Sequence, residues 1–106
     1  MDYDAVFKAL ADPTRRRLLD ALHAHNGQRL HELCAGTDLT RQAVTKHLAI
    51  LEAANLVATT RSGREKLHHL NPAPLNDIST RWLAKYDQRQ LNALATLKQA
   101  LEDDRE

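Results

Sequence analysis

The sequence predicts a mainly α-helical chain that carries one two-stranded β-hairpin. Three observations predict it. Up to Asn55, apolar residues recur at spacings of three and four, the period of one helix face. Between Val57 and Leu70 two short runs flank Ser62-Gly63, the pattern of a hairpin. Beyond Asn71-Pro72-Ala73-Pro74, which breaks regular structure, a helical leucine pattern resumes.

The elements follow in order. Asp2 to Leu10 reads as a short helix with Val6, Phe7 and Leu10 on one side. Asp12-Pro13 opens a second helix. Asp accepts from the first free amides, and Pro suits the first helical position. Leu18, Leu19 and Leu22 form its core face, and Asn26-Gly27 ends it. Leu30 to Ala35 is a third helix, closed by Gly36, and Thr37-Asp38-Leu39 is a turn. Thr40 is a good N-cap for a helix from Arg41 to about Ala54, ended by Asn55. In that helix Val44, Leu48 and Leu51 form a buried stripe, while Arg41, Gln42, Thr45 and Lys46 take the other side. Small Ala43 lets the two neighbouring helices approach.

Residues 30–54 therefore read as a helix-turn-helix, and 57–70 as a wing beside it. Val57 to Arg61 is the outgoing strand, Ser62-Gly63 the two-residue turn and Arg64 to Leu70 the return. That register sets Arg61 opposite Arg64 and Thr59 opposite Lys66 on a basic face, with Ala58 and Leu67 on an apolar one. From about Leu75 to Leu101 the spacing predicts one unbroken helix, roughly 40 Å long. Leu75, Ile78, Trp82, Tyr86, Leu91, Leu94, Leu97 and Leu101 line it. One small domain cannot cover such a stripe. The expectation is a homodimer, with dimerisation helices at 1–11 and 73–103.

The fold class is thus mainly α: a winged helix-turn-helix with a two-stranded β-hairpin wing and a long C-terminal dimerisation helix. With 106 residues, the chain is read as a single domain, 1–106. Its formal net charge is +1, from 15 basic and 14 acidic residues, which does not by itself suggest nucleic acid. The distribution does: Arg41, Lys46, Arg61, Arg64 and Lys66 face only Glu52 and Glu65 between Thr40 and Lys66. No leader pattern opens the chain and no apolar run could span a bilayer, so it is expected to be soluble and cytoplasmic, without membrane.

The run Phe7-Lys8-Ala9-Leu10-Ala11-Asp12-Pro13-Thr14-Arg15-Arg16-Arg17, the run Gln42 to Leu51, and Leu56-Val57 followed by Arg61-Ser62-Gly63-Arg64 carry a resemblance. In this order and spacing the chain resembles the ArsR/SmtB family of winged-helix bacterial repressors. The resemblance implies a homodimeric repressor whose partner is double-stranded DNA with a palindromic operator. It implies DNA contacts at Thr40, Arg41, Gln42, Thr45, Lys46 and His47 of the recognition helix, and at Arg61, Gly63 and Arg64 of the wing. The chemistry fits: Arg41 suits guanine and Gln42 suits adenine. Thr40, Thr45, Lys46 and the wing arginines suit phosphates.

Two departures concern the inducer. Many members sense metal through a Cys pair, and here Cys34 is followed by Gly36 where the second thiolate would stand. Others use His on the C-terminal helices, and no His lies between Leu75 and Glu106. No metal and no cofactor are therefore expected at the family's known sites.

Weaker features receive ordinary readings. Arg15-Arg16-Arg17 reads as a solvated face with one stem on the core. His31 and Cys34 could form a two-ligand corner, but the six histidines are expected to be exposed or hydrogen-bonded. Cys34, the sole cysteine, falls beside Leu30 and Leu33 and reads as a small buried hydrophobe. Trp82 and Tyr86 read as dimer core rather than an effector pocket. Neither serine has the surroundings of an activated nucleophile, and no phosphate-cradling glycine loop is present, so an enzyme is not expected. Two alternatives stay open: a protein-interaction module without DNA binding, and a thiol-responsive repressor acting through Cys34. The small-molecule effector is open as well.

Overall fold

Three of the first four helices begin where a side-chain oxygen accepts a free amide proton. In the computed structural model, which describes residues 2–104, these are α1 (Tyr3–Leu10), α2 (Pro13–Ala24) and α4 (Arg41–Ala53). Asp2 accepts from Ala5 N at 3.1 Å, Asp12 from Arg15 N at 3.0 Å and Thr40 from Ala43 N at 3.1 Å. The fourth, α3 (Leu30–Ala35), is held from inside: Glu32 Oε1 accepts from Arg29 N at 3.0 Å. Asn55, at φ 63°, ends α4 in the left-handed conformation that Asn tolerates. The hairpin follows as β1 (Val57–Ser62) and β2 (Glu65–Leu70), and then α5 (Ala73–Ile78), a π-helical turn (Ser79–Leu83) and α6 (Gln88–Asp103).

The chain divides into two compact units, one running to Leu75 and one starting at Asn76. In the first, α1, α2 and α3 all pack on α4. Val6, Ala9, Leu18, Leu19, Leu22, Leu33, Val44, Leu48, Leu51, Leu56 and Val57 form its core. The core is aliphatic, as the scarcity of aromatic residues requires, and both helix stripes expected from the sequence lie in it.

Two arginines of α2 have a structural role that the sequence reading did not assign. Arg15 donates to Ala9 O at 2.8 Å and Lys8 O at 2.9 Å, and Arg16 to Leu10 O at 2.6 Å. They satisfy the last carbonyls of α1, where a cation also suits the helix dipole. The Arg15 N–H, helped by the Arg15 and His47 charges, holds the Asp12 carboxyl below the ordinary carboxylate range, against opposing desolvation.

The hairpin differs in register from the expectation. Arg61 lies opposite Lys66, Thr59 opposite His68 and Ser62 opposite Glu65, so Gly63-Arg64 is the turn. A Ser62-Gly63 turn would put Ser62 at a positive φ. Moving the turn by one residue gives that position to Gly63, at φ 63°. The pairing moves by two residues, so Thr59, Arg61 and Lys66 stay together on one face. Val57 and His68, both buried, share a face with Thr59, Arg61 and Lys66, while Leu67 lies opposite. Arg61 and Lys66 therefore lie on the face that carries the buried residues, while Arg64 is in the turn.

A bridge from the α2–α3 loop anchors the wing. Gly27 N donates to His68 O at 2.9 Å, and His68 N donates to Gln28 O at 2.8 Å. The same carbonyl accepts from the His68 Nδ1–H at 2.9 Å. Asn26 Oδ1 accepts from Leu70 N at 2.8 Å. The Asn26-Gly27 pair that follows α2 thus also helps give β2 a second partner beside β1.

In the second unit the single helix from Leu75 to Leu101 is not observed. The chain opens between Ala84 and Asp87. Ala84 N reaches back to Ser79 O at 2.7 Å, and Asp87 starts a new helix. Asp87 accepts from Gln90 N at 2.8 Å while Gln90 Oε1 accepts from Asp87 N at 3.0 Å. This reciprocal cap is legible as Asp-x-x-Gln, and it outweighed the leucine period. On α6, Leu91, Leu94, Leu97 and Leu101 are all exposed. No helix among the described residues is long and apolar enough to cross a membrane.

Two outcomes are expected. Asp87→Ala costs about 1 kcal/mol at the start of α6, read as faster amide exchange at Gln88 to Gln90 with the first unit unaffected. The depressed Asp12 value means that its ionised form stabilises the fold above the ordinary carboxylate range, and that this is lost as pH falls through the lowered value. Asp12→Asn keeps the cap but removes the charge. Urea midpoints of the variant should therefore fall less steeply than those of the parent below about pH 4.

Candidate nucleic-acid interface

The buried stripe of α4 decides which side chains face outward. With Val44, Leu48 and Leu51 in the core, Arg41, Gln42, Thr45 and Lys46 are all exposed. With Thr40 and Ala43 they line an open depression of 750 Å³ along the helix. Arg41, Gln42 and Lys46 make no side-chain hydrogen bond or ion pair to any described residue. Two hydroxyls of the row are partly committed: Thr40 accepts from Ala43 N, and Thr45 donates to Arg41 O at 2.8 Å. Thr40 keeps its proton for another acceptor, whereas Thr45 would have to turn from Arg41 O to donate elsewhere.

His47 does not belong to the exposed row. It is half-buried, with Nδ1 3.3 Å from Arg15 Nη1 and 3.9 Å from Asp12 Oδ2. The residue links α4 to the start of α2. Cys34 is likewise not the buried residue expected, being only half-buried, and His31 is exposed. Among the described residues no three His, Cys, Asp or Glu side chains come together to hold a metal ion.

The wing stands across a second groove from α4. This cavity of 520 Å³ lies between α3, α4 and β2, and Arg41 and Thr45 share it with Arg64. Fold and register thus bring together three of the residues expected to meet DNA. Arg61 and Gly63 are exposed further along the hairpin. Arg61 and Arg64 have no acidic partner among the described residues.

The ion pairs that reach β2 in this groove have no local signal in the sequence. Arg29, before α3, pairs with Glu65 of β2 and, at 3.3 Å, with Glu32. Lys66 Nζ lies 3.1 Å from Glu52 Oε1. That oxygen is buried and receives no well-directed hydrogen bond, so the ammonium charge is what compensates it. Of the basic residues near the wing, Lys66 and Arg29 are neutralised, while Arg61, Arg64 and Arg41 are not. Arg29 and Lys66 become visible as structural residues only when β2 is placed beside α3 and α4.

Known proteins share this arrangement. A family model described as a helix-turn-helix domain matches residues 10–60. An uncharacterized HTH-type transcriptional regulator of Bacillus subtilis, YuzN, is 41% identical over 86 residues, covering 76% of this chain and 94% of the relative. The transcriptional repressor SdpR of Bacillus subtilis is 30% identical over 89 residues, covering 84% of this chain and 97% of SdpR. The solved structure of an ArsR-like transcriptional regulator from Rhodococcus sp. RHA1 superposes with a TM-score of 0.70 at 34% identity, covering 94% of this chain and 90% of that one. These relatives are regulators rather than enzymes and share nearly their whole length with this chain, which is therefore a member of the ArsR/SmtB family of helix-turn-helix transcriptional regulators.

Proposed function

We propose that the chain is a cytoplasmic homodimeric repressor that binds a palindromic operator through α4 and the wing. One observation carries this reading most. Arg41, Gln42 and Lys46 stand exposed and without partners on α4, and Arg64 faces Arg41 across a groove. Unpaired cations and an amide on a rigid helix suit base edges and phosphates together. Arg41 and Gln42 read bases. Thr40, Thr45, Lys46, Arg61 and Arg64 take the backbone, and Gly63 lets the wing turn approach it. His47, held against Asp12 and Arg15, seats α4 rather than reading DNA. The repressor role is supported by the similarity to SdpR.

The dimer rests on the exposed leucines of α6, with Trp82, Tyr86 and Phe7 also exposed in the single chain. Large apolar side chains repeated along one helix mark an interaction surface. A two-fold dimer sets its two reading helices ~34 Å apart, or a multiple of that, and so requires a symmetric site.

Gel-shift titration against fragments selected from the host genome tests the assignment. Arg41→Ala and Gln42→Ala should each relax base preference at their own positions, by about 1–3 kcal/mol. Arg64→Ala should weaken operator and random duplex alike and lower the salt slope by about 0.9. Binding that is flat with salt in the parent would instead favour a protein-interaction module. For assembly, Leu94→Lys with Leu97→Lys should convert a dimer to a monomer in sedimentation and weaken palindrome binding about 100-fold. A parent that sediments as a monomer, or selected sites without two-fold symmetry, would overturn the homodimeric reading.

A further inference from the structure

The groove between α3, α4 and β2 holds more positive charge than it offers to a ligand. Arg29, Arg41, Arg64 and Lys66 line it, with Glu52 and Glu65. Both acids are engaged, Glu65 with Arg29 and Glu52 with Lys66. The Glu52 pair is the more constraining. Its Oε1 is buried, lacks a directed donor and depends on the ammonium at 3.1 Å. If Lys66 swung toward a phosphate, this buried carboxylate oxygen would be left uncompensated. Arg41 and Arg64 carry no such obligation.

We infer that Glu52 is a positioning residue that withholds Lys66 from the DNA backbone and thereby limits the sequence-independent part of binding. The inference rests on the DNA-binding reading above. Phosphate contacts are the same at every sequence, and each one releases counterions. Masking one cation therefore lowers affinity for operator and random duplex by the same factor, while their ratio is unchanged. The wing's apparent charge of Arg61, Arg64 and Lys66 then overstates its grip, because one of the three is spoken for by α4. A lower backbone affinity also lets the protein leave non-specific sites sooner.

The test measures operator and random-duplex binding of the parent, Glu52→Gln, Lys66→Gln and the double variant between about 50 and 200 mM salt. Glu52→Gln should steepen the salt slope by about 0.9 and tighten both duplexes about five- to ten-fold near 0.1 M. Lys66→Gln and the double variant should keep the parent slope. Amine acylation of the parent, read by mass spectrometry, needs no variant: operator DNA should protect Lys46 and leave Lys66 as reactive as before. An unchanged slope in folded Glu52→Gln would overturn the inference, as would a shallower slope in Lys66→Gln or protection of Lys66 in the parent. In those cases a salt-dependent parent leaves the DNA-binding reading standing. A parent whose binding does not vary with salt overturns both.

Discussion

The first unit depends on the burial of one face of α4. Val44, Leu48 and Leu51 are removed from water by α1, α2 and α3, so the helix cannot rotate without exposing its leucines. The same constraint aims Arg41, Gln42 and Lys46 outward. These side chains thus need no interactions of their own to be held in place, which is why they stand unpaired. The cap at Thr40 and the left-handed stop at Asn55 set where this helix begins and ends. His47 and Arg15 tie it to the end of α1. What α4 presents to a ligand is therefore a by-product of how the core closes.

The wing is placed by different forces. Backbone bonds from Gly27 and Gln28 hold β2 at its base, with the buried His68 ring between them. Further out, two ion pairs join β2 to the loop before α3 and to α4. Exposed pairs contribute little stability, so most of the anchoring belongs to the base, and the pairs chiefly decide which cations remain available. The turn is left with unpaired arginines on either side of Gly63. Anchoring and availability are thus divided along one short hairpin.

Local signals made much of this legible in advance. The first four helices appear where Asp2, Asp12, Gly36, Thr40 and Asn55 marked their ends, because caps and stops act within a few residues. The exposed row of α4 was legible too, since helical period and core burial agree. Two elements depart from what residue patterns suggest. In the hairpin, residue type alone suggests a Ser62-Gly63 turn, but the demand for a positive φ at the first turn residue moves the turn by one residue and the pairing by two. In the C-terminal segment a repeated leucine spacing masked the cap of Asp87 with Gln90, a short-range interaction that restarts the helix. His47 and Arg15 show the limit on the site: nothing near either in sequence indicates that they meet.

The chain by itself determined where helices start, which faces are apolar and which side chains of α4 are left for a ligand, because these follow from spacings within one or two turns. Only the tertiary structure decided which charges are free. Arg29 and Glu65, or Glu52 and Lys66, lie on different elements, and charge neutralisation depends on distance in space rather than along the chain. The same five basic residues between Thr40 and Lys66 that suggested a positive surface therefore divide into four available cations and one held by α4.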